Sequence, residues 1–348
     1  MTEPITQPRV LVAMSGGVDS SVAAALLLER GHDVTGVTLK LWGGESDSGC
    51  CSVADVEDAR RVAAQLCIPH YVFDFTDDFD AHVVEPYVRA YGDGRTPNPC
   101  VECNRAIKFG RLLDRAEAMG FDAVATGHHA RIARDGDGRP ALCRGADPAK
   151  DQSYVLYMLG PEALERTRLP VGDLTKAEVR AHAACLGLRT ATKPESMDVC
   201  FITRGGRRAF LGARVAPAPG PVVDTGGAVL GRHDGVSAFT VGQRRGLGVA
   251  VGERRFVVDV DAARGTVTVG RRADLLRAET SVADAVFSSV PPTPDERLSV
   301  QVRAHGEPAE GWWLGDRVVW ARPQPRIAPG QVVALYRGDV LLGGGLAA

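Results

Sequence analysis

Between a short apolar run, Arg9 to Met14, and a helical pattern from Ser20 to Arg30 that stops at Gly31 stands Ser15-Gly16-Gly17-Val18-Asp19-Ser20. Paired glycines let a backbone close around an anion, serine hydroxyls donate to it, and the unpaired N–H groups of the following helix add positive dipole. A pyrophosphate-sized cradle is the chemistry this spacing supports. Asp19 sits oddly in it, because a carboxylate beside bare phosphate needs either an intervening Mg²⁺ ion or a helix-capping role. A Walker loop requires Gly-Lys, and none of the five lysines (Lys40, Lys108, Lys150, Lys176, Lys193) follows a glycine. P-loop kinases and GTPases are thereby disfavoured.

The second set of reactive groups is sulfur. Thr96-Pro97-Asn98-Pro99-Cys100-Val101-Glu102-Cys103-Asn104 is a proline-stiffened segment with a Cys-x-x-Cys just ahead of a helical pattern. A thiol at a helix N-terminus has its thiolate favoured by the dipole, so Cys103 is the expected nucleophile of the pair. One Cys-x-x-Cys falls two ligands short of a structural zinc site. A third thiol, Cys200, follows in Ser196-Met197-Asp198-Val199-Cys200-Phe201-Ile202.

The elements that must position these groups alternate. Strands are expected at Val34–Leu39, His70–Phe75 and Asp122–Thr126, with helices at Ser52–Leu66, near Asp78–Tyr91 and at Arg105–Met119. In the Ser52 helix, Ser52 and Asp55 have the spacing of an N-cap and its return carboxylate, and Val53, Val56, Val62, Ala63 and Leu66 share a face. Such alternation predicts a doubly wound parallel α/β sheet with ligands at the carboxyl ends of its strands. After about residue 200 the texture changes to short alternating segments such as Arg255–Val260, Gly265–Val269, Leu298–Arg303, Arg317–Ala321 and Gln331–Tyr336, broken at Pro217–Pro221 and Pro291–Pro294. The expected division is residues 1–204 for the nucleotide-binding catalytic domain, 205–275 for a small β-rich domain and 276–348 for a C-terminal β-barrel-like domain.

Composition agrees with that plan. The 348 residues are 45% hydrophobic and 24% charged, which excludes disorder, collagen and coiled coil for the whole. The longest apolar run, Val22–Leu28, is far below the roughly 20 residues of a membrane span, and no secretory or transit signal is legible at Met1–Val10. The cytoplasm is the default compartment, and the eight cysteines are expected as thiols. Net charge is −2, yet residues 201–348 hold 19 Arg against 14 acidic residues, a balance compatible with a polyanionic partner.

The Ser-Gly-Gly-x-Asp-Ser string resembles the PP-loop ATP pyrophosphatases. Together with Thr96–Phe109, Gly127-His128-His129, Lys150-Asp151-Gln152-Ser153-Tyr154, Cys200-Phe201-Ile202 and Gly242–Gly248, the chain is similar along essentially its whole length to the tRNA-specific 2-thiouridylases. The resemblance implies a cytoplasmic enzyme that adenylates C2 oxygen of the anticodon wobble uridine with ATP and Mg²⁺, then puts sulfur there, releasing AMP and pyrophosphate. It implies ATP contacts at Ala13, Met14, Ser15, Gly16, Gly17, Val18, Asp19, Ser20, Leu39 and Gly127. It makes Cys103 the nucleophile and Cys200 the persulfide carrier, with a Cys103–Cys200 disulfide after turnover. It puts tRNA contacts at Asn98, Pro99, His128, Lys150, Asp151, Gln152, Arg303 and Gln331, and a cysteine desulfurase or relay protein as sulfur donor.

Some members carry Asp where this chain has Cys100. The substitution opens an alternative, because Cys100, Cys103 and Cys200 make a three-thiolate set that would leave one iron of a [4Fe–4S] cluster open for sulfide. Two other classes compete: a PP-loop amide or nitrogen ligase, which leaves the cysteines unexplained, and a non-catalytic RNA-binding module with zinc at Cys100 and Cys103. Cys50 and Cys51 read as loop or packing residues, Cys67, Cys143 and Cys185 as core, and one of Trp312 and Trp313 as core. His32, His70, His82 and His182 read as structural.

Overall fold

The computed structural model describes residues 7–42, 52–194, 199–202, 206–249, 252–304 and 306–348. Cys50, Cys51 and Ser196–Asp198 lie outside the described residues. The chain forms two units, one of residues 1–83, 100–204 and 339–341, the other of residues 84–99, 205–338 and 342–348.

The first unit is built on β1 (Arg9–Ala13), α1 (Val18–Glu29), β2 (Asp33–Lys40), α2 (Val53–Gln65), β3 (His70–Asp74), β4 (Ala123–Ala125) and, after a hairpin of β5 (Ala130–Arg134) and β6 (Pro140–Arg144), β7 (Thr167–Arg168). The five strands β3-β2-β1-β4-β7 lie in that order and all run parallel. Val10, Leu11 and Val12 of β1 are wholly buried, as an apolar strand covered on both faces must be. Helix α1 is buried nearly all round through Val22, Ala23, Ala24 and Leu27, which explains its unbroken apolar run. Gly31 ends it with φ +79°, a left-handed stop that suits glycine.

Helix α2 starts as its sequence indicates: the Ser52 hydroxyl accepts from the Asp55 N–H at 3.1 Å and donates to its carboxylate at 2.6 Å. Its buried face is narrower than expected, however. Ala59, Val62 and Ala63 are inside, whereas Val53 is 84% exposed because the first turn extends beyond the sheet-facing stripe. Two cysteine expectations are also corrected. Cys67 and Cys185 are exposed, Cys67 in the turn just past the end of α2 in a left-handed conformation (φ 55°) and Cys185 as the last residue of the helix Lys176–Cys185; Cys143, on β6, is buried as expected.

The helical stretch after Pro99 departs from a regular α-helix. A turn at Pro99–Glu102 leads into π-helix over Cys103–Arg111 and back to α-helix at Leu112–Ala118. Wide π turns are rare and recur at functional sites. Two contacts hold this one: Asn104 Nδ2 donates to the Val155 carbonyl at 3.0 Å, and Arg105 Nη2 to the Tyr157 hydroxyl at 3.1 Å.

The second unit contains a four-stranded sheet in the order β10-β11-β8-β9, from β8 (Gly220–Asp224), β9 (Val229–His233), β10 (Phe256–Asp261) and β11 (Thr266–Gly270). Val222, Phe239, Val257, Val267 and Val269 form its core. Its remaining strands are β12 (Leu276–Phe287), β13 (Leu298–Gln301), β14 (Ala309–Trp313), β15 (Arg317–Pro325), β16 (Val332–Arg337) and β17 (Val340–Ala347), ordered β12-β15-β14-β13-β16-β17. Strand β12 pairs with β15 through its first half and with β17 through its second, so the sheet closes on itself as a barrel. The bend sits between Ala283 and Val286, where Asp284 takes φ 52°. Trp313 is buried against Phe287 while Trp312 is half-buried, the alternation expected of a strand. No helix among the described residues is long and apolar enough to cross a membrane.

A full capping box starts the first unit's helix Lys176–Cys185: Thr175 Oγ1 accepts from the Glu178 N–H and the Glu178 carboxylate accepts from the Thr175 N–H at 2.7 Å. Thr175→Ala should lower stability by about 1 kcal/mol, read as a lower unfolding midpoint in chemical denaturation.

Candidate functional site

A cavity of about 210 Å³ opens at the carboxyl ends of β1, β2 and β4, where the strand order reverses on either side of β1. Ala13, Met14, Ser15, Asp19 and Ser20 line one wall, Val37, Leu39 and Leu41 another, and Thr126, Gly127 and His128 a third, with Lys108 and Gln152 at its border. Seven of the ten residues expected to hold ATP therefore border one space. Gly16 takes φ +72°, and a Cβ there would lie 2.2 Å from the Asp55 carbonyl oxygen. Gly127 is equally constrained, a Cβ meeting the Ser20 nitrogen at 2.6 Å. The serines shape the loop: Ser20 Oγ accepts from the Ser15 N–H at 3.2 Å and donates to the Gly17 carbonyl at 3.1 Å, which also accepts from Ser21 Oγ at 2.8 Å.

Asp19 does not cap α1, whose N-cap Gly17 has no side-chain cap. Its carboxylate instead accepts two hydrogen bonds from Lys176 Nζ, both 2.7 Å, and lies 3.1 Å from His129 Nε2. Burial alone would raise the Asp19 carboxyl, but hydrogen bonds from His129 and Lys176 outweigh it and hold the group below its ordinary value. The carboxylate beside the phosphate cradle is thus neutralised by a lysine 157 residues away. Lys176 was not identifiable from sequence; Thr175-x-x-Glu178 marks a helix start without saying what its first side chain faces.

A second distant lysine braces the loop from behind. Lys193 Nζ donates to the Gly16 carbonyl at 3.0 Å and to Asp55 and Asp58 carboxylates, each at 2.7 Å. Burial pulls its ammonium down, and the two carboxylates more than reverse that and raise it. His128 is buried, with Nδ1 2.6 Å from Thr126 Oγ1. Burial, then the charges of Lys108 and His129, hold its imidazole well below the ordinary histidine value, so it is neutral at pH 7.

The sulfur groups belong to the same unit. Because the helical stretch begins at Pro99, Cys103 lies a turn further inside than a helix N-terminus and is buried, on the same π turn as cavity-lining Lys108. Cys200 is half-buried, and its neighbour Phe201 is fixed by two aromatic contacts, to Phe79 at 5.7 Å edge-on and to Trp42 at 6.1 Å. Trp42 follows Leu41 of the cavity wall, and Asp78, next to Phe79, pairs with Arg111 of the π turn at 2.9 Å. One packed sequence of contacts therefore joins the Cys200 segment, the nucleotide cavity and the helix of Cys103. The described cysteines are thiols rather than disulfides. Among the described residues no group of three or more His, Cys, Asp or Glu side chains is gathered to hold a metal ion, and Cys100 is exposed while Cys103 is buried.

Residues 8–204 match the family model of the tRNA methyl transferase HUP domain, residues 208–271 that of the tRNA methyl transferase PRC-barrel domain and residues 279–347 that of the aminomethyltransferase beta-barrel domain. The tRNA-specific 2-thiouridylase MnmA of Chloroflexus aurantiacus is 51% identical, covering 97% of both chains. The MnmA proteins of Roseiflexus sp. (47%; 97% of this chain, 98% of the relative) and Mycobacterium avium (49%; 96% and 97%) are similar over the same span. The chain belongs to the tRNA-specific 2-thiouridylase family.

The residues at which this 2-thiouridylase family resemblance implies tRNA contacts fall in different settings. In the first unit, Asp151 is buried, its carboxylate accepting from Arg144 Nη1 (2.9 Å), the Gly145 N–H and the Ser153 N–H and hydroxyl (each 3.0 Å), so it staples its own loop. Gln152 accepts from the His129 N–H at 2.9 Å, and Lys150 is half-exposed beside it. In the second unit, Asn98 is half-buried and Pro99 buried, while Arg303 and Gln331 line a cavity of about 330 Å³ with Thr96, whose carbonyl accepts from Gln331 Nε2 at 2.5 Å.

Lys176→Met should weaken ATP binding about tenfold or more in a tRNA-free titration, because Asp19 would face the phosphates uncompensated. The sign of the accompanying pH effect follows from the lowered Asp19 carboxyl. Its contribution to stability is present above about pH 4 and lost as pH falls through the depressed native value, so the variant's stability should vary less with pH over that acid range.

Proposed function

We propose that the chain is a tRNA 2-thiouridylase that uses ATP to activate C2 of the anticodon wobble uridine and delivers sulfur to it from a cysteine persulfide. The observation that carries this reading is the joining of the Ser15–Ser20 cradle and its cavity to two cysteine-bearing segments within one packed unit. The loop Ser15–Ser20 holds the departing pyrophosphate, assisted by Mg²⁺, and Leu39 and Gly127 flank the adenosine. Transfer of AMP to the C2 oxygen converts oxide into a phosphate leaving group.

Cys200 receives sulfane sulfur from a cysteine desulfurase or relay protein. Its terminal persulfide sulfur attacks C2, AMP leaves, and the uridine is joined to Cys200 through a disulfide. The Cys103 thiolate then attacks the Cys200 sulfur, forming a Cys103–Cys200 disulfide and releasing 2-thiouridine; a dithiol reductant restores the pair. Burial of Cys103 keeps that second thiol from wasteful exchange until a substrate arrives. Half-exposed Lys150, exposed Arg303 and the surrounding arginines supply phosphate contacts, with Asn98, Pro99, His128, Asp151, Gln152 and Gln331 shaping the surfaces that receive the anticodon. We assign these roles to modules at residues 1–204, 205–275 and 276–348.

Nucleoside mass spectrometry after incubation with tRNA, ATP, Mg²⁺ and a persulfide donor tests the reading. Cys103→Ser and Cys200→Ser should each reduce 2-thiouridine at least a hundredfold while leaving the ATP dissociation constant within twofold of wild type. Thiolation at the wild-type rate by the double variant would reject the relay.

A further inference from the structure

Lys193 is the least expected polar group around the nucleotide loop. It follows the short helical turn Arg189–Thr192, 177 residues from the glycine whose carbonyl it binds, and it reaches three acceptors at once. Its two carboxylate partners belong to the first two turns of α2, at Asp55 and Asp58. Gly16 is pressed onto the same turn, with Asp55 backbone where its Cβ would be. The phosphate loop, the start of α2 and the end of the Arg189–Thr192 turn therefore meet at one ammonium group.

The consequence for the loop is geometric. The peptide between Gly16 and Gly17 is trans, so its carbonyl and its N–H point in opposite directions. With the carbonyl drawn back onto Lys193, the Gly17 N–H is turned the other way. Gly17 is the N-cap of α1, whose first N–H groups have no intrahelical acceptor. A loop of this kind binds anions only while its N–H groups converge, and a flipped peptide would present a carbonyl oxygen to phosphate instead.

We propose that Lys193 is a positioning residue that orients the Gly16–Gly17 peptide toward the β- and γ-phosphates. The proposal rests on the cavity at Ser15–Ser20 being the ATP site. Direct contact between Lys193 and substrate is not required, since the ammonium acts through the Gly16 carbonyl and the α2 carboxylates.

The test compares wild type, Lys193→Met and Lys193→Arg without tRNA. Dissociation constants are measured for MgATP and for AMP, which lacks the phosphates the loop would read. Lys193→Met should lose at least tenfold in MgATP affinity and less than twofold in AMP affinity, with Lys193→Arg recovering most of the loss. Unchanged MgATP affinity, equal losses for MgATP and AMP, or a loss that Lys193→Arg does not recover overturns the proposal. If Lys193→Met does not fold, the double variant Asp55→Asn/Asp58→Asn carries the same expectations and the same overturning results. Failure of the wild type to bind MgATP would instead remove the ATP reading on which the proposal rests.

Discussion

The controlling constraint is the charge around the phosphate loop. A turn meant for a polyanion carries Asp19 within itself and abuts Asp55 and Asp58 of α2, three carboxylates that would oppose ligand entry. Lys176 closes on Asp19 and Lys193 on the α2 pair, each at 2.7 Å. Neither lysine is near the loop in sequence, and neither occupies the position of a Walker lysine. Cationic charge is thus delivered by the helix and turn that pack behind the loop, which leaves the loop backbone free to wrap the ligand. Both lysines and the carboxylates they pair with are partly buried, so losing either would leave partly desolvated negative charge without a partner, a cost above that of a fully exposed pair.

The sulfur chemistry is arranged around the same sheet with different means. Cys103 sits in a stretch of π-helix that opens the backbone by one residue per turn and is pinned by Asn104 and Arg105 to the Val155–Tyr157 segment. Cys200 is positioned by its neighbour, because Phe201 fills an aromatic socket formed by Phe79 and Trp42. Burial of Cys103 and partial exposure of Cys200 suit their proposed parts: the persulfide carrier must be reached by an external donor, and the second thiol acts only once a substrate is in place.

How much of this could be read beforehand differs from feature to feature. The strand, loop and helix around Ser15–Ser20 were legible because an apolar run, paired glycines and a periodic helix are adjacent in the chain. The capped start of α2 was legible for the same reason. Val53 was misjudged because a periodicity count treats the first helical turn as if it already faced the sheet, and Cys67 and Cys185 because apolar surroundings in sequence do not show that a helix has reached its exposed end. The start of the helical stretch at Pro99, and the π turn after it, escaped because proline at a first helical position and a single added residue per turn leave weak periodic signals.

By itself the sequence determined the parallel α/β class, the anion-binding turn, the exclusion of a Walker site and the identity of the three thiols in the Cys-x-x-Cys and Cys200 segments, since each depends on residues within a few positions of one another. Tertiary structure alone decided which lysines neutralise Asp19, Asp55 and Asp58, which thiol is buried, and that Asp151 staples its own loop. Those outcomes turn on contacts across as many as 177 residues, made only after the sheet has stacked its helices, and no local spacing encodes them.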